Sequence, residues 1–281
     1  MKNEKSIAVL ITCYNRVNTT LRCLEHLYNA QVPEGYYFEV YLVDDNSPDE
    51  TGRLVKNNYP TANIIQGTGN LYWNGGMRLA WQTAAENKNY DFYLWLNDDT
   101  FIDAHAIKTI INDYNFLKNK NIESLIVSAL RDPVTNKISY SGRGNGEKII
   151  PTGFPSECDY VTGNFVLVPQ FIYNNLGILN EHFSHGMGDN DYGYRAIRFG
   201  YKCHVTSNYV GYCSLGIRIK WDDPSLSFKE RSKKLFSKTG GNLFEYLYFV
   251  KTHRGYLASF LSAIKNIVIL FFPNSLKKFR K

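Results

Sequence analysis

The chain has 281 residues, of which 44% are hydrophobic, 21% charged and 15% aromatic; that is ample apolar material for a packed core and excludes general disorder. The formal charge of +6 is uneven: from residue 228 onward there are twelve Lys or Arg against two Glu, so the tail carries +10 and the body −4. A basic tail needs an anionic partner or solvent, and its interleaving with apolar residues beside an acidic body suits lipid rather than nucleic acid. Five cysteines without a CxxC pair exclude a disulfide framework and a cysteine zinc site.

In chain order, the apolar run of residues 6–12 reads as a strand. It is too short, and lacks the small-residue cleavage site, for a signal peptide, so a cytoplasmic protein is expected. Helical spacing of Leu21, Leu24, Leu27 and Tyr28 marks a helix over 19–30, and 38–43 is a second strand. A helix over 50–58, a strand over 63–66, a helix over 77–87 and a strand over 92–96 follow. The alternation predicts an α/β fold with a mainly parallel, doubly wound sheet and helices on both faces. Residues 131–160, rich in Gly, Pro, Asn and Ser, read as irregular hairpins or a mobile loop. A strand over 164–168, a helix over 169–176 and a helix over 192–199 complete the body.

The segment 256–272 is strongly apolar but interrupted by Lys265 and Asn266, and it is flanked by Lys251, Arg254, Lys277, Lys278, Arg280 and Lys281. It falls short of the ~20 apolar residues needed to span a bilayer. Polar or small residues recur at Thr252, Gly255, Ser259 and Ser262, leaving Leu257, Phe260, Leu261, Ile264, Val268 and Phe271 on the remaining surface. Three readings stand: a helix packed on its own core, an interfacial helix on anionic lipid, or a poor membrane span.

Ligands of open α/β sheets bind outside the carboxyl ends of the strands. Three polar clusters fall at such ends: Thr12-Cys-Tyr14-Asn15-Arg16, Asp44-Asp45-Asn46-Ser47 and Asn97-Asp98-Asp99-Thr100. Each alone suits a turn or a helix cap. Paired carboxylates can also hold the hard cation that neutralises a diphosphate, and Asp98 and Asp99 follow the strong strand Tyr93-Leu-Trp-Leu96. The segment from Gln66 to Ala80 contains four glycines ahead of a helix, which permits backbone to approach a phosphate. It is neither a Walker A loop nor a GxGxxG fingerprint. Asp189 and Asp191, beside Gly188 and before Arg195, supply either a general base or helix-capping carboxylates. His182, His185 and Asp189 show no fixed metal-ligand spacing.

Together, Leu10-Ile-Thr-Cys-Tyr-Asn-Arg16, Val43-Asp-Asp-Asn-Ser47, Leu96-Asn-Asp-Asp-Thr100 and Gly188-Asp-Asn-Asp-Tyr-Gly-Tyr-Arg195 resemble glycosyltransferase family 2 over about residues 6–215. The stretch Gly69-Asn70-Leu-Tyr-Trp73-Asn-Gly75-Gly76 further resembles bacterial members that build surface polysaccharides such as O-antigen and capsule, rhamnosyltransferases among them. The resemblance implies a type A transferase fold, with a catalytic domain over 1–225 (nucleotide-sugar half 1–100, acceptor half 101–225); the basic, amphipathic residues 226–281 read as a helical tail that contacts a membrane surface. It implies nucleotide-sugar binding by Thr12, Tyr14, Asn15, Arg16, Asp44, Asp45, Asn70, Gly75, Gly76, Asn97 and Asp98. In the family's Asp-x-Asp motif Asn97 takes the first place and Asp99 the last, so Asp99 is the expected ligand of Mg²⁺ or Mn²⁺. The family's Glu-Asp base motif reads Gly188-Asp189 here, which makes Asp189 the expected catalytic base, with Asp191, Arg195, Gly163, Asn164 and Trp73 orienting it or shaping the acceptor pocket.

The implied reaction is inverting transfer from a UDP- or dTDP-sugar to a glycan acceptor; the basic tail and its apolar segment suggest that this acceptor is carried on a polyprenyl diphosphate lipid at the inner face of the plasma membrane. Two rivals remain at this point. A sugar nucleotidyltransferase would carry a Gly-rich signature where Thr12-Cys-Tyr-Asn-Arg16 stands. A non-catalytic sugar- or lipid-binding protein on a decayed transferase fold draws support only from Asn97 and Gly188.

Overall fold

The computed structural model describes residues 4–216 and 219–275. Its elements in chain order are β1 (Lys5–Cys13), α1 (Val17–Tyr28), β2 (Tyr36–Asp44), α2 (Thr51–Asn58), β3 (Asn63–Gln66), α3 (Tyr72–Asn87), β4 (Phe92–Leu96), β5 (Phe101–Ile102), α4 (Ala106–Asn119), β6 (Ser124–Arg131), β7 (Arg143–Gly144), β8 (Glu147–Lys148), β9 (Ser156–Glu157), β10 (Phe165–Pro169), α5 (Gln170–Leu176), α6 (Gly188–Arg198), β11 (Lys202–Tyr212), α7 (Phe228–Phe236), α8 (Leu243–Arg254) and α9 (Tyr256–Phe271). They form two compact units: Met1–Glu181 with Asp189–Leu215, and His182–Gly188 with Gly216–Lys281.

The first unit is built on a nine-stranded sheet in the order β3-β2-β1-β4-β10-β6-β11-β5, with β9 beside β11. Ile7, Val9 and Ile11 of β1 face one apolar layer with Leu24, Leu27, Ile107 and Ile111. Ala8 and Leu10 face the other, with Met77, Trp81 and Tyr192. A strand covered on both faces has no polar side, which is why the sequence shows a continuous apolar run rather than an alternation. β4 divides likewise, Phe92, Leu94 and Leu96 to one layer and Tyr93 and Trp95 to the other.

The sheet is mainly parallel, as expected, with three reversed strands, β10, β5 and β9. β10 runs antiparallel to β4 and β6, and β5 antiparallel to β11. The start of β10 therefore lies where β4 ends, with Phe165 opposite Leu96, and Phe101 lies opposite Tyr212. After Arg131, which ends β6, residues up to 160 hold only the β7–β8 hairpin, β9 and isolated bridges. The helix expected over 77–87 starts five residues earlier, at Tyr72, so Gly75 and Gly76 lie within its opening turns. A Cβ on Gly76 would overlap Thr12 Oγ1 and come within 2.7 Å of Thr12 Cβ. Its glycine thus permits the close packing of α3 on β1.

In the second unit α7 opens with a capping box in which Ser227 and Glu230 satisfy each other's backbone N–H. Leu235, Leu243 and Leu270 form its small core with Trp221, Tyr246 and Leu247 beside it. The amphipathic α9 is turned inside out. Its small and polar side is half-buried, with Ser259 Oγ donating to the Leu247 carbonyl at 2.9 Å, and only Ile269 and Leu270 are buried. Leu257 is 72% exposed and Phe260 63%, and Leu261, Ile264 and Phe271 are exposed with them. No helix among the described residues is long and apolar enough to cross a membrane. The flanking Lys277, Lys278, Arg280 and Lys281 lie outside the described residues.

Candidate active site

The carboxyl ends of β1, β2 and β4 bring the three polar clusters to one edge, and the reversed β10 adds Gly163 and Asn164 to it. The Asn97 N–H donates to the Asn164 carbonyl at 2.9 Å, joining the two loops. Trp73, in the first turn of α3, donates its indole N–H to Asn97 Oδ1 at 2.6 Å. A Cβ on Gly163 would lie 2.7 Å from the Trp73 ring and 3.1 Å from Asp189 Cβ, so glycine is what lets these two side chains close on the loop. Trp73, Asn97, Gly163, Asn164 and Asp189, far apart in sequence, thus form one contiguous group.

Asp189 stands in the first turn of α6. Its Oδ2 accepts the Gly163 N–H at 2.8 Å, and its Oδ1 accepts the Asn190 backbone N–H at 2.8 Å and side-chain amide at 2.7 Å. Burial raises the carboxyl above its ordinary value, and these donors, which favour the ionised form, hold the rise in check. A partly desolvated, firmly aimed carboxylate has the attributes of a proton acceptor.

Asp98 is buried, and burial pushes its pKa up to about 7, with the Arg16 guanidinium opposing and Asp99 adding to the rise. Arg16 bridges the pair, Nε to Asp98 Oδ2 at 3.3 Å and Nη1 to Asp99 Oδ2 at 3.2 Å. The Asp99 side chain is 44% exposed. Its other oxygen faces the Cys213 thiol at 3.8 Å, and the Asn164 amide meets the same sulfur at 3.5 Å. Burial, with Asp99 nearby, lifts this thiol to about 12, so it stays protonated at neutral pH. Cys213 belongs to the site although sequence reasoning missed it. The missing signal was β11, whose buried polar residues His204, Thr206 and Ser207 interrupt any strand pattern.

The other expected residues occupy the same edge with internal duties. Asp44 accepts the Ser47 and Gly52 N–H groups, and Asp45 those of Gly69, Leu71 and Tyr72. Asp45 thereby holds the glycine-rich loop and the start of α3. The Asn15 N–H reaches Ser47 Oγ at 2.9 Å, Tyr14 is 52% exposed, and Asn70 is exposed. Asp191 is fully buried and pairs with Arg195 at 2.8 Å, while the guanidinium also donates to the Leu176 and Ile178 carbonyls.

The family model "Glycosyl transferase family 2" matches residues 8–166, more than half of the chain. The chain belongs to glycosyl transferase family 2. It is a glycosyltransferase, and solved structures repeat its architecture. A mannosyltransferase, PcManGT from Pyrobaculum calidifontis in complex with GDP-Man and Mn²⁺, superposes with a TM-score of 0.56 at 14% identity, over 96% of this chain and 82% of that one. Residues 1–349 of S. aureus TarS in complex with UDP-GlcNAc give 0.56 at 14% identity over 98% and 91%. Against the longer TarS structure the match spans 90% of this chain and 44% of that one, with a TM-score of 0.53 at 15% identity. A comparison with curated protein sequences finds no match. At this identity the neighbours establish the fold: the strand ends that gather Asp99, Gly163 and Asp189 are those of a type A glycosyltransferase sheet.

Proposed function

We propose that this family 2 glycosyltransferase moves a sugar from a UDP- or dTDP-sugar to a hydroxyl of a glycan acceptor, with Asp189 as general base and inversion at the anomeric carbon. The observation that supports it is the Asp189 carboxylate, raised by burial and aimed by Gly163 and Asn190. Asp189 takes the proton of the acceptor hydroxyl as that oxygen attacks the anomeric carbon and the bond to the nucleoside diphosphate breaks. Trp73 borders the base and, through Asn97, fixes the loop that bears Asp99. Thr12, Asp44, Asp45 and Arg16 line the donor half.

Among the described residues no three His, Cys, Asp or Glu side chains form a metal cage. The half-exposed Asp99 carboxylate fits a Mg²⁺ or Mn²⁺ that arrives with the diphosphate, since such ions are commonly held by one or two carboxylates plus phosphate oxygens. When bound, the cation offsets the charge on the departing nucleoside diphosphate. Calorimetric titration with UDP, dTDP, GDP and CDP should show one nucleotide binding tightly with Mn²⁺ and weakly without it. Mn²⁺ alone should bind poorly, and Asp99→Ala should erase the metal dependence. Binding of none of the four would overturn the reading in favour of a decayed fold.

The acceptor in this reading is carried on a polyprenyl diphosphate lipid, with residues 1–225 catalysing and 226–281 resting on the cytoplasmic face of the plasma membrane. Its support is the exposed apolar face of α9 on a segment of net charge +10, the combination that binds anionic interfaces. The full chain should float with phosphatidylglycerol liposomes, and Leu257→Glu/Phe260→Glu should stay in the dense fraction. Equal flotation of the two would sink the membrane assignment while leaving the chemistry untouched.

A further inference from the structure

The segment leading into Asp189 is held by α8. His182–Gly188 belongs to the same compact unit as α7, α8 and α9, and the next residue, Asp189, resumes the first unit. Within the second unit both carboxylate oxygens of Glu245 accept from Ser184, one from its N–H at 3.0 Å and the other from its hydroxyl at 2.6 Å. Asn242 adds its side-chain amide to the same hydroxyl at 3.4 Å. Two residues earlier the His182 ring lies flat on Tyr248, 4.2 Å between centroids and 3° between planes. The buried Phe183 packs edge-on against Tyr248 and Phe249. Downstream, Met187 holds a left-handed backbone with φ of 68°, a conformation a non-glycine residue keeps only where its surroundings impose it.

A carboxylate that accepts both the N–H and the O–H of one residue fixes orientation as well as position. Ser184 stands five residues before Asp189, and Asp189 must present Oδ2 to Gly163 at 2.8 Å and Oδ1 to Asn190. A shift of the approach segment changes where that carboxylate points, and small misplacements of a reacting group are costly to rate. We infer that Glu245 is a positioning residue for the base: by clamping Ser184 it sets the register in which residues 182–188 deliver Asp189. The C-terminal helices then serve the chemistry as well as any surface attachment. The inference rests on the reading of Asp189 as the base.

The test compares Glu245→Ala, Glu245→Gln and Asp189→Asn in the full chain. Turnover is read as nucleoside diphosphate released from UDP- and dTDP-sugars with water as acceptor, alongside nucleotide affinity, the pH profile of kcat and hydrogen exchange of the 182–188 peptide. Glu245→Ala should lower kcat about tenfold to a hundredfold, move the acid limb of its pH profile and speed exchange in the peptide, with nucleotide affinity unchanged. Glu245→Gln keeps an amide oxygen for Ser184 and should recover part of kcat. Faster exchange at wild-type kcat overturns the positioning role, as does a parallel loss of nucleotide affinity and kcat, which marks general damage. Full turnover by Asp189→Asn instead removes the base assignment itself, whatever Glu245 does.

Discussion

Asp189→Asn is expected to lower sugar transfer by about 10²–10⁴-fold, the usual worth of a positioned proton acceptor, with nucleotide affinity and fold retained. The amide is nearly isosteric and keeps one oxygen for the Gly163 or Asn190 N–H, but it cannot take the acceptor's proton. The wild-type pH profile carries the same information. Because burial raises the Asp189 pKa above the ordinary carboxylate value, kcat should fall as pH drops through that raised pKa and level off above it. Linkage adds a stability counterpart. Between the unfolded and the raised folded pKa the native state binds the extra proton, so this group's contribution to stability is lost as pH rises through the window. Asp189→Asn should remove both the acid limb of kcat and that share of the pH dependence of unfolding. Transfer at the wild-type rate in the variant would refute the assignment.

Much of the donor edge was legible because it is local. The apolar runs of β1, β2 and β4 announce doubly covered strands, and the polar residues that follow them must lie at the carboxyl edge. What was not legible depends on pairing across the chain. Gly163 and Asn164 reach the same edge because β10 runs backwards beside β4, and nothing in Phe165–Pro169 records direction. Cys213 reaches Asp99 because β11 lies antiparallel to β5. That strand hides its character behind buried polar groups: Ser124 Oγ meets His204 Nδ1 at 2.9 Å, and Thr206 Oγ1 accepts the Ala129 N–H at 3.0 Å. Periodicity also cannot tell which side of an amphipathic helix turns inward. In α9 the small side packs and the large apolar side is exposed. Asp191 and Arg195 show the opposite limit. The sequence offers them as residues that orient the base or shape the acceptor pocket, and the ion pair they form appears only with the Leu176 and Ile178 carbonyls in place.

That ion pair should dominate the stability of this part of the first unit. Arg195→Ala is expected to cost about 3–5 kcal/mol, the range for removing one partner of a buried pair, read as a lower denaturant midpoint at unchanged slope. Asp191 is fully buried and loses its guanidinium, and the carbonyls of Leu176 and Ile178, met at 2.8 and 3.0 Å, lose their donor. Arg195→Lys keeps the charge, but a single ammonium cannot reproduce the planar fork that serves one carboxylate and two carbonyls, so it should recover only part of the loss. Replacing both partners by Asp191→Asn/Arg195→Met should cost less than Arg195→Ala alone, because no charge is then left buried. The same series separates scaffold from acceptor contact. A scaffold role lowers the folded fraction and leaves the KM of the folded enzyme unchanged. A rise in acceptor KM for Arg195→Lys at near-native stability would place Arg195 against the acceptor, the role its sequence neighbourhood first suggested.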